Sequence, residues 1–108
     1  EGATFIGQIP FASINTANVT NMSRTFKNTN MLIAGIHNWD TSSVTNMSSM
    51  FYEYIQYSPN SGLSQLNWNT SNVSDMNGMF SYAKVLSTFN INSWDVSKVV
   101  YMHDMFLG

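Results

Sequence analysis

The sequence predicts an α/β fold, a right-handed solenoid of four stacked strand–turn–helix units. Three observations predict it. Four segments align without internal gaps and close on Phe26, Phe51, Phe80 and Phe106, which are 25, 29 and 26 residues apart. Seven of the eight methionines and all three tryptophans fall at equivalent positions of those segments. Hydrophobic residues make up 44% of the chain and charged residues only 9%, against roughly 25% charged in ordinary soluble domains. Polarity is therefore carried by 38 Asn, Ser and Thr residues among 108. Self-similarity at such a period is the signature of stacked repeats, each too small to bury its apolar face alone.

The 108 residues form one repeat domain, with units at about 5–26, 31–51, 63–80 and 86–106. Within a unit the pattern runs from Trp39, Trp68 or Trp94 as W-D/N-x-S-x-V-x-x-M-x-x-M-F. From Val to Phe the apolar spacing is i, i+3, i+6, i+7, which predicts one face of a short helix. Ser42, Ser71 and Ser97 stand where N-caps are needed. Asp40, Asn69 and Asp95 suit an Asx turn leading into the helix. The first unit departs from the pattern at Ile14, Ala17 and Thr25, as a terminal unit of an array does. The strands precede each tryptophan. Leu86-Ser-Thr-Phe89-Asn-Ile91 reads as L-x-x-L-x-L, the strand signature of leucine-rich repeats, so the solenoid is expected to be leucine-rich-repeat-like. Leu32, Ala34 and Ile36 give a weaker version, and Ile9 and Phe11 a short one. An inserted loop at about 57–62 shifts the register near Leu63 and Leu66 and accounts for the 29-residue spacing. The chain begins at Glu1 as if cut from a longer one. It ends on Phe106-Leu107-Gly108, a core position without a polar cap, so a fragment of a longer array or a subunit that stacks on another is expected.

The segments Trp39–Phe51, Trp68–Phe80 and Trp94–Phe106 resemble the bacterial surface-protein repeat of about 26 residues, the palindromic amphipathic repeat of mycoplasma lipoproteins. The resemblance covers most of the chain, from about Ile9 to Phe106. It implies a solenoid related to leucine-rich repeats, surface exposure, and a part in adhesion or variable recognition, with no catalytic residues.

Composition narrows the remaining functions. The net charge is −2, and the four basic residues Arg24, Lys27, Lys84 and Lys98 cannot build the patch that nucleic acid requires. Without cysteine there are no disulfides and no thiolate metal sites. No apolar run reaches the length of a membrane span. No P-loop, HExxH or GxSxG motif is present, so no enzyme, cofactor or metal is expected. His37 and His103 have no second histidine at ligand spacing. Asp40, Asn69 and Asp95 would stack as an oxygen ladder open to calcium, but turn-capping explains them with less. The Asn-x-Ser/Thr sequons at Asn18, Asn21, Asn46, Asn69 and Asn72 follow from the repeat's own composition.

Two surfaces remain as candidates for partner binding. The outward positions of the expected strands are Asn90 and Asn92, Gly35 and His37, and Asn67, and solenoids commonly bind on such a face. The cluster Tyr52, Tyr54 and Tyr57 adjoins the inserted loop and cannot all point inward. The expected function is a non-catalytic extracellular or cell-surface module for adhesion or partner recognition. The partner would be a protein or glycan on a host or neighbouring cell surface. The alternative is a structural subunit that stacks end to end, with copies of itself as partner.

Overall fold

The computed structural model describes residues 10–31, 33–56, 66–85 and 90–108. Within it, the Val-to-Phe segments are runs of tight turns and not helices. Their N–H groups divide by parity. Met50, Tyr52 and Tyr54 turn back to the carbonyls of Met47, Ser49 and Phe51, three residues earlier; Met79, Ser81 and Ala83 do the same in the third unit, Thr25 and Lys27 in the first and Leu107 in the fourth. The alternate N–H groups leave the unit. Met22, Arg24, Phe26 and Asn28 donate to the carbonyls of Asn46, Ser48, Met50 and Tyr52 at 2.8–3.1 Å. Met47, Ser49, Phe51 and Glu53 donate to Asp75, Asn77, Met79 and Ser81 at 2.8–2.9 Å. Met76, Gly78, Phe80 and Tyr82 donate to Tyr101, His103, Met105 and Leu107 at 2.7–2.9 Å.

This geometry needs left-handed backbone at two fixed places in each unit. Arg24, Ser49, Gly78 and Asp104 have φ of 54–61°, and Asn28, Glu53, Tyr82 and Gly108 have φ of 54–92°. A right-handed helix admits neither. Its competitor wins for two reasons. Asn, Ser, Thr and Gly are weak helix formers that favour turns, and a helix of this length is marginal by itself. In the first three units, alternate N–H groups that a helix would bond internally find carbonyls on the next unit, while the others turn back three residues.

The expected leucine-rich-repeat-like solenoid of strand–turn–helix units is therefore not the fold. The segments read as strands also fail. Phe11–Ser13 and Ile36–Asn38 are 3₁₀ turns. Near the fourth tryptophan, Trp94 N closes a turn on Ile91 O at 3.1 Å, while Leu86–Phe89, like Ile9, Leu32, Leu63 and the loop at 57–62, lie outside the described residues. Among the described residues, the two strands follow the phenylalanines instead of preceding the tryptophans. β1 (Ile55–Gln56) pairs in parallel with β2 (Lys84–Val85), Ile55 opposite Lys84. Isolated parallel bridges link Asn21, Asn46, Asp75 and Tyr101 in series.

The repeat register, by contrast, marks the core. Val44, Met47, Met50 and Phe51, and Val73, Met76, Met79 and Phe80, are all buried. Phe26, Phe51, Phe80 and Phe106 stack face to face with centroids 5.3–5.7 Å apart. Trp39, Trp68 and Trp94 form a second column at 6.2–6.5 Å. Each indole N–H reaches back to the preceding unit: Trp39 to Phe11 O, Trp68 to Ile36 O and Trp94 to Leu66 O, at 2.7–2.9 Å. Each buried threonine hydroxyl reaches forward: Thr16 to Asp40 O, Thr41 to Asn69 O and Thr70 to Asp95 O, at 2.9–3.1 Å. Among the described residues no buried side-chain polar atom lacks a partner. The radius of gyration is 13.5 Å, close to the roughly 13 Å of a compact chain of this length. No helix of the described residues is long and apolar enough to cross a membrane.

Candidate recognition surface

The position after each phenylalanine is at least partly exposed in the first, second and fourth units and buried in the third, and it sets the candidate site. It is Lys27, Tyr52, Ser81 and Leu107 in the four units. The Tyr52 ring is partly exposed and meets Tyr82 edge-on at 5.8 Å and 80°. Lys27 Nζ lies 5.2 Å from the Tyr52 ring centroid, within cation–π range. Tyr82 is 42% exposed and occupies the left-handed position that Asn28 and Glu53 fill in the first two units. The two tyrosines border a cleft of about 310 Å³ that crosses units two to four, with Ser49, Asn77, Ser81 and the exposed pair His103 and Asp104 along it. His103 Nε2 and Asp104 Oδ2 are 3.1 Å apart. The His103 backbone N–H donates to Asn77 Oδ1 at 2.7 Å, which ties the cleft's far wall to the third unit. Hydroxyls, amides and two aromatic edges make this a surface suited to uncharged polar ligands.

Of the two described tyrosines of the cluster, Tyr52 reaches this surface and Tyr54 does not. Tyr54 is fully buried, edge-on to Phe51 at 6.1 Å, and its hydroxyl donates to Met31 O at 2.7 Å. Burial pushes its phenol up to about 12. As a partner-binding residue it is corrected to a core residue, because its whole ring is spent on packing. Tyr57 lies outside the described residues. Tyr82 was the residue that spacing arguments missed, and an aromatic at a register position otherwise held by Asn28 and Glu53 was the available signal.

His37, Asn67, Asn90 and Asn92 are all exposed. They do not share a strand face, since the segments that carry His37 and Asn92 turn. Asn90 Oδ1 accepts from Asn92 N at 3.0 Å, so these two amides close a local turn on each other. No hydrogen bond among the described residues draws His37 or Asn67 to them.

The Asx turns form as expected, with the roles of acceptor and donor settled differently from the N-cap expectation. Asp40 Oδ1 accepts from Ser42 N at 2.9 Å and from Ser42 Oγ at 2.6 Å, and Asn69 Oδ1 does the same with Ser71 at 3.0 and 2.6 Å. Asp95 Oδ1 accepts from Ser97 N at 2.9 Å. The serines donate here, and with no helix to follow there is nothing for them to cap. Hydrogen bonding from the Ser42 hydroxyl, and then from its N–H, holds the Asp40 carboxyl below its usual range; Ser97 does the same for Asp95. Asn15 closes the equivalent turn on Ala17 N at 3.1 Å in the first unit. A second series runs through Asn21, Asn46 and Asp75, whose side chains accept from Ser23, Ser48 and Asn77 at 2.9–3.0 Å. Each carboxylate in these ladders serves its own turn, and among the described residues no three metal-ligating side chains come together.

Residues 3–108 match the family described as "Mycoplasma protein of unknown function, DUF285". No curated protein and no solved structure matches the chain.

Proposed function

We propose, on the premise that the chain belongs to the DUF285 family of mycoplasma proteins, that it is a non-catalytic extracellular or cell-surface module that recognises a protein or glycan. Its units are of the palindromic amphipathic kind found in bacterial surface proteins, about 26 residues long. The observation that carries the reading is the cleft bordered by Tyr52 and Tyr82. Tyrosine supplies broad contact area at low conformational cost, and it is enriched where proteins bind one another. Asn77 and Ser49 add hydrogen-bonding capacity without charge. A chain with 9% charged residues meets its partner mainly through such groups.

The test is a screen of glycans and host-matrix proteins against the wild-type chain and its Tyr82→Ala variant. Binding that falls at least tenfold in Tyr82→Ala, with unchanged circular dichroism, is the expected result. Binding that ignores both Tyr82→Ala and Tyr52→Ala sinks the assignment of the cleft.

A further inference from the structure

A missing side chain shapes the cleft beside Tyr52 and Tyr82. Arg24, Ser49, Gly78 and Asp104 hold equivalent places in the four units, all with left-handed backbone. Three of them carry side chains, and Gly78 interrupts the row between Ser49 and Asp104. A Cβ on Gly78 would stand 3.5 Å from Ser49 Oγ and 3.9 Å from Tyr52 Cδ2, so it would enter the cleft that these residues line. The turn itself does not demand glycine, because Ser49 and Asp104 make it with side chains. The gap at Gly78 is therefore a notch in the cleft wall. Ser49, Tyr52, Gly78 and Tyr82 belong to the second and third units, which bond to described units on both sides.

Polar groups along the notch are unspent. Asn77 Oδ1 accepts from the His103 N–H at 2.7 Å, while the Asn77 amide N–H groups have no acceptor among the described residues. The Ser49 hydroxyl has no partner among them either. Asp104 turns Oδ2 to His103 Nε2 at 3.1 Å and keeps a second carboxylate oxygen for another donor.

Granted that the cleft is the recognition site, we infer that the notch at Gly78 is a subsite for the terminal sugar of an uncharged oligosaccharide. Tyr82, 42% exposed, offers a ring for the sugar's C–H face, since the face of an aromatic ring is its negative side. Sugar hydroxyls both donate and accept, and the donors of Asn77, the hydroxyl of Ser49 and the carboxylate of Asp104 answer both needs. The volume, about 310 Å³, is at the small end of ligand pockets, roughly 300–1,000 Å³. Among the described residues no lysine or arginine lines the cleft, and Asp104 disfavours a second negative charge, so acidic sugars are excluded. A peptide fits less well. It is caught by a free backbone edge or by apolar pockets for its side chains. Here the N–H groups of Ser49, Gly78 and Tyr82 are spent on Asn77 O, His103 O and Leu107 O, so an added strand finds no donor at these residues.

The experiment is titration of the 108-residue chain, followed by NMR shift changes. The probes are neutral oligosaccharides ending in glucose, galactose, mannose or N-acetylglucosamine, beside a sialylated and a sulfated counterpart. Gly78→Asn fills the notch with a residue that tolerates left-handed backbone. Tyr82→Ala removes the ring and Tyr82→Phe keeps it. Circular dichroism checks the fold of each variant. The expected result is saturable binding of at least one neutral oligosaccharide, weakened at least tenfold by Gly78→Asn and by Tyr82→Ala and retained in Tyr82→Phe. Should Gly78→Asn unfold, the Tyr82 pair decides: equal binding by wild type and Tyr82→Ala overturns the subsite. No saturable binding by any neutral probe overturns it as well. Equal or tighter binding of the acidic counterparts overturns the choice of an uncharged ligand. A protein ligand that is lost in Tyr82→Ala, with no sugar bound, overturns the sugar subsite and leaves the cleft as the recognition site.

Discussion

Thr41 Oγ1 donates to the carbonyl of Asn69, one unit ahead, at 2.9 Å, from a side chain that is 1% exposed. The bond joins two units through a group with no access to water. Thr41→Val keeps the shape and removes the donor of this bond. It should lower stability by about 0.5–1.5 kcal/mol. Thr70→Val, whose hydroxyl serves Asp95 O, should cost a similar amount. Urea denaturation with unchanged slope and lowered midpoint is the readout; equal midpoints for wild type and Thr41→Val would contradict it.

Position in the stack, not residue type, should decide what a methionine contributes. Met76 is fully buried between neighbouring units, whereas Met102 holds the same register in the fourth and is 45% exposed. Met76→Ala should cost about 2–5 kcal/mol through lost burial and the cavity left behind. Met102→Ala, at a half-open surface, should cost less than about 1 kcal/mol. Parallel thermal or urea melts of the two variants separate them, and equal losses would argue against the layered packing.

Two glycines with positive φ should respond unequally to alanine. Gly78 has φ 60° and room for a Cβ, the nearest foreign atom being Ser49 Oγ at 3.5 Å. Its substitution incurs only the left-handed backbone penalty, about 1–2 kcal/mol. Gly35 has φ 103°, and a Cβ there would meet Ala12 N at 3.0 Å and Ala12 Cβ at 3.2 Å. Gly35→Ala should be the more damaging of the two, since the two 3₁₀ turns must also separate. Stability ranked in the opposite order would place the close approach of Gly35 to Ala12 in error.

The pH dependence has two limbs with opposite signs. Tyr54 titrates at about 12 when folded, against a usual 10. Its neutral form is the one the core holds, so its contribution is complete below pH 10 and is lost as pH rises towards 12. Tyr54→Phe should flatten that alkaline loss, at the cost of the bond to Met31 O. Asp40 and Asp95 are held below the usual carboxylate value by Ser42 and Ser97. Their contribution is present above that value and is lost as pH falls through the folded one. Asn69 does the same work without a titrating group, so the double variant Asp40→Asn, Asp95→Asn should keep its turns and lose part of the acid dependence. Melting temperature against pH checks both limbs.

The side-chain pattern of the sequence was a good guide to the core and a poor one to the backbone. Val44, Met47, Met50 and Phe51 are buried as their i, i+3, i+6, i+7 spacing requires. That spacing is shared by a helix and by this run of turns, because both return a side chain to the same face every third or fourth residue. What separates them is the left-handed backbone at Arg24, Ser49 and Asp104, and these three residues carry no common side-chain feature that would announce it. The Asx turns at Asp40, Asn69 and Asp95 were legible because the chemistry is local. The burial of Tyr54 was not, since it depends on Met31, 23 residues away. Tyr52 met Tyr82 for the same reason: their contact is made across units.

The parity of the backbone bonds has an electrical consequence. In a β-sheet, N–H and C=O groups alternate along an edge and their dipoles nearly cancel. Here four alternate N–H groups in each of the first three units aim towards the next unit, while a smaller set, from Thr45, Ser74 and Val100 among others, aims back. The dipoles of the forward bonds add along the stack, as peptide dipoles do in a helix, although these runs are not helical. Full charges stand in the same rows, Arg24 and Lys27 in the first unit and Asp104 in the fourth, and act on the molecule's field alongside the main chain.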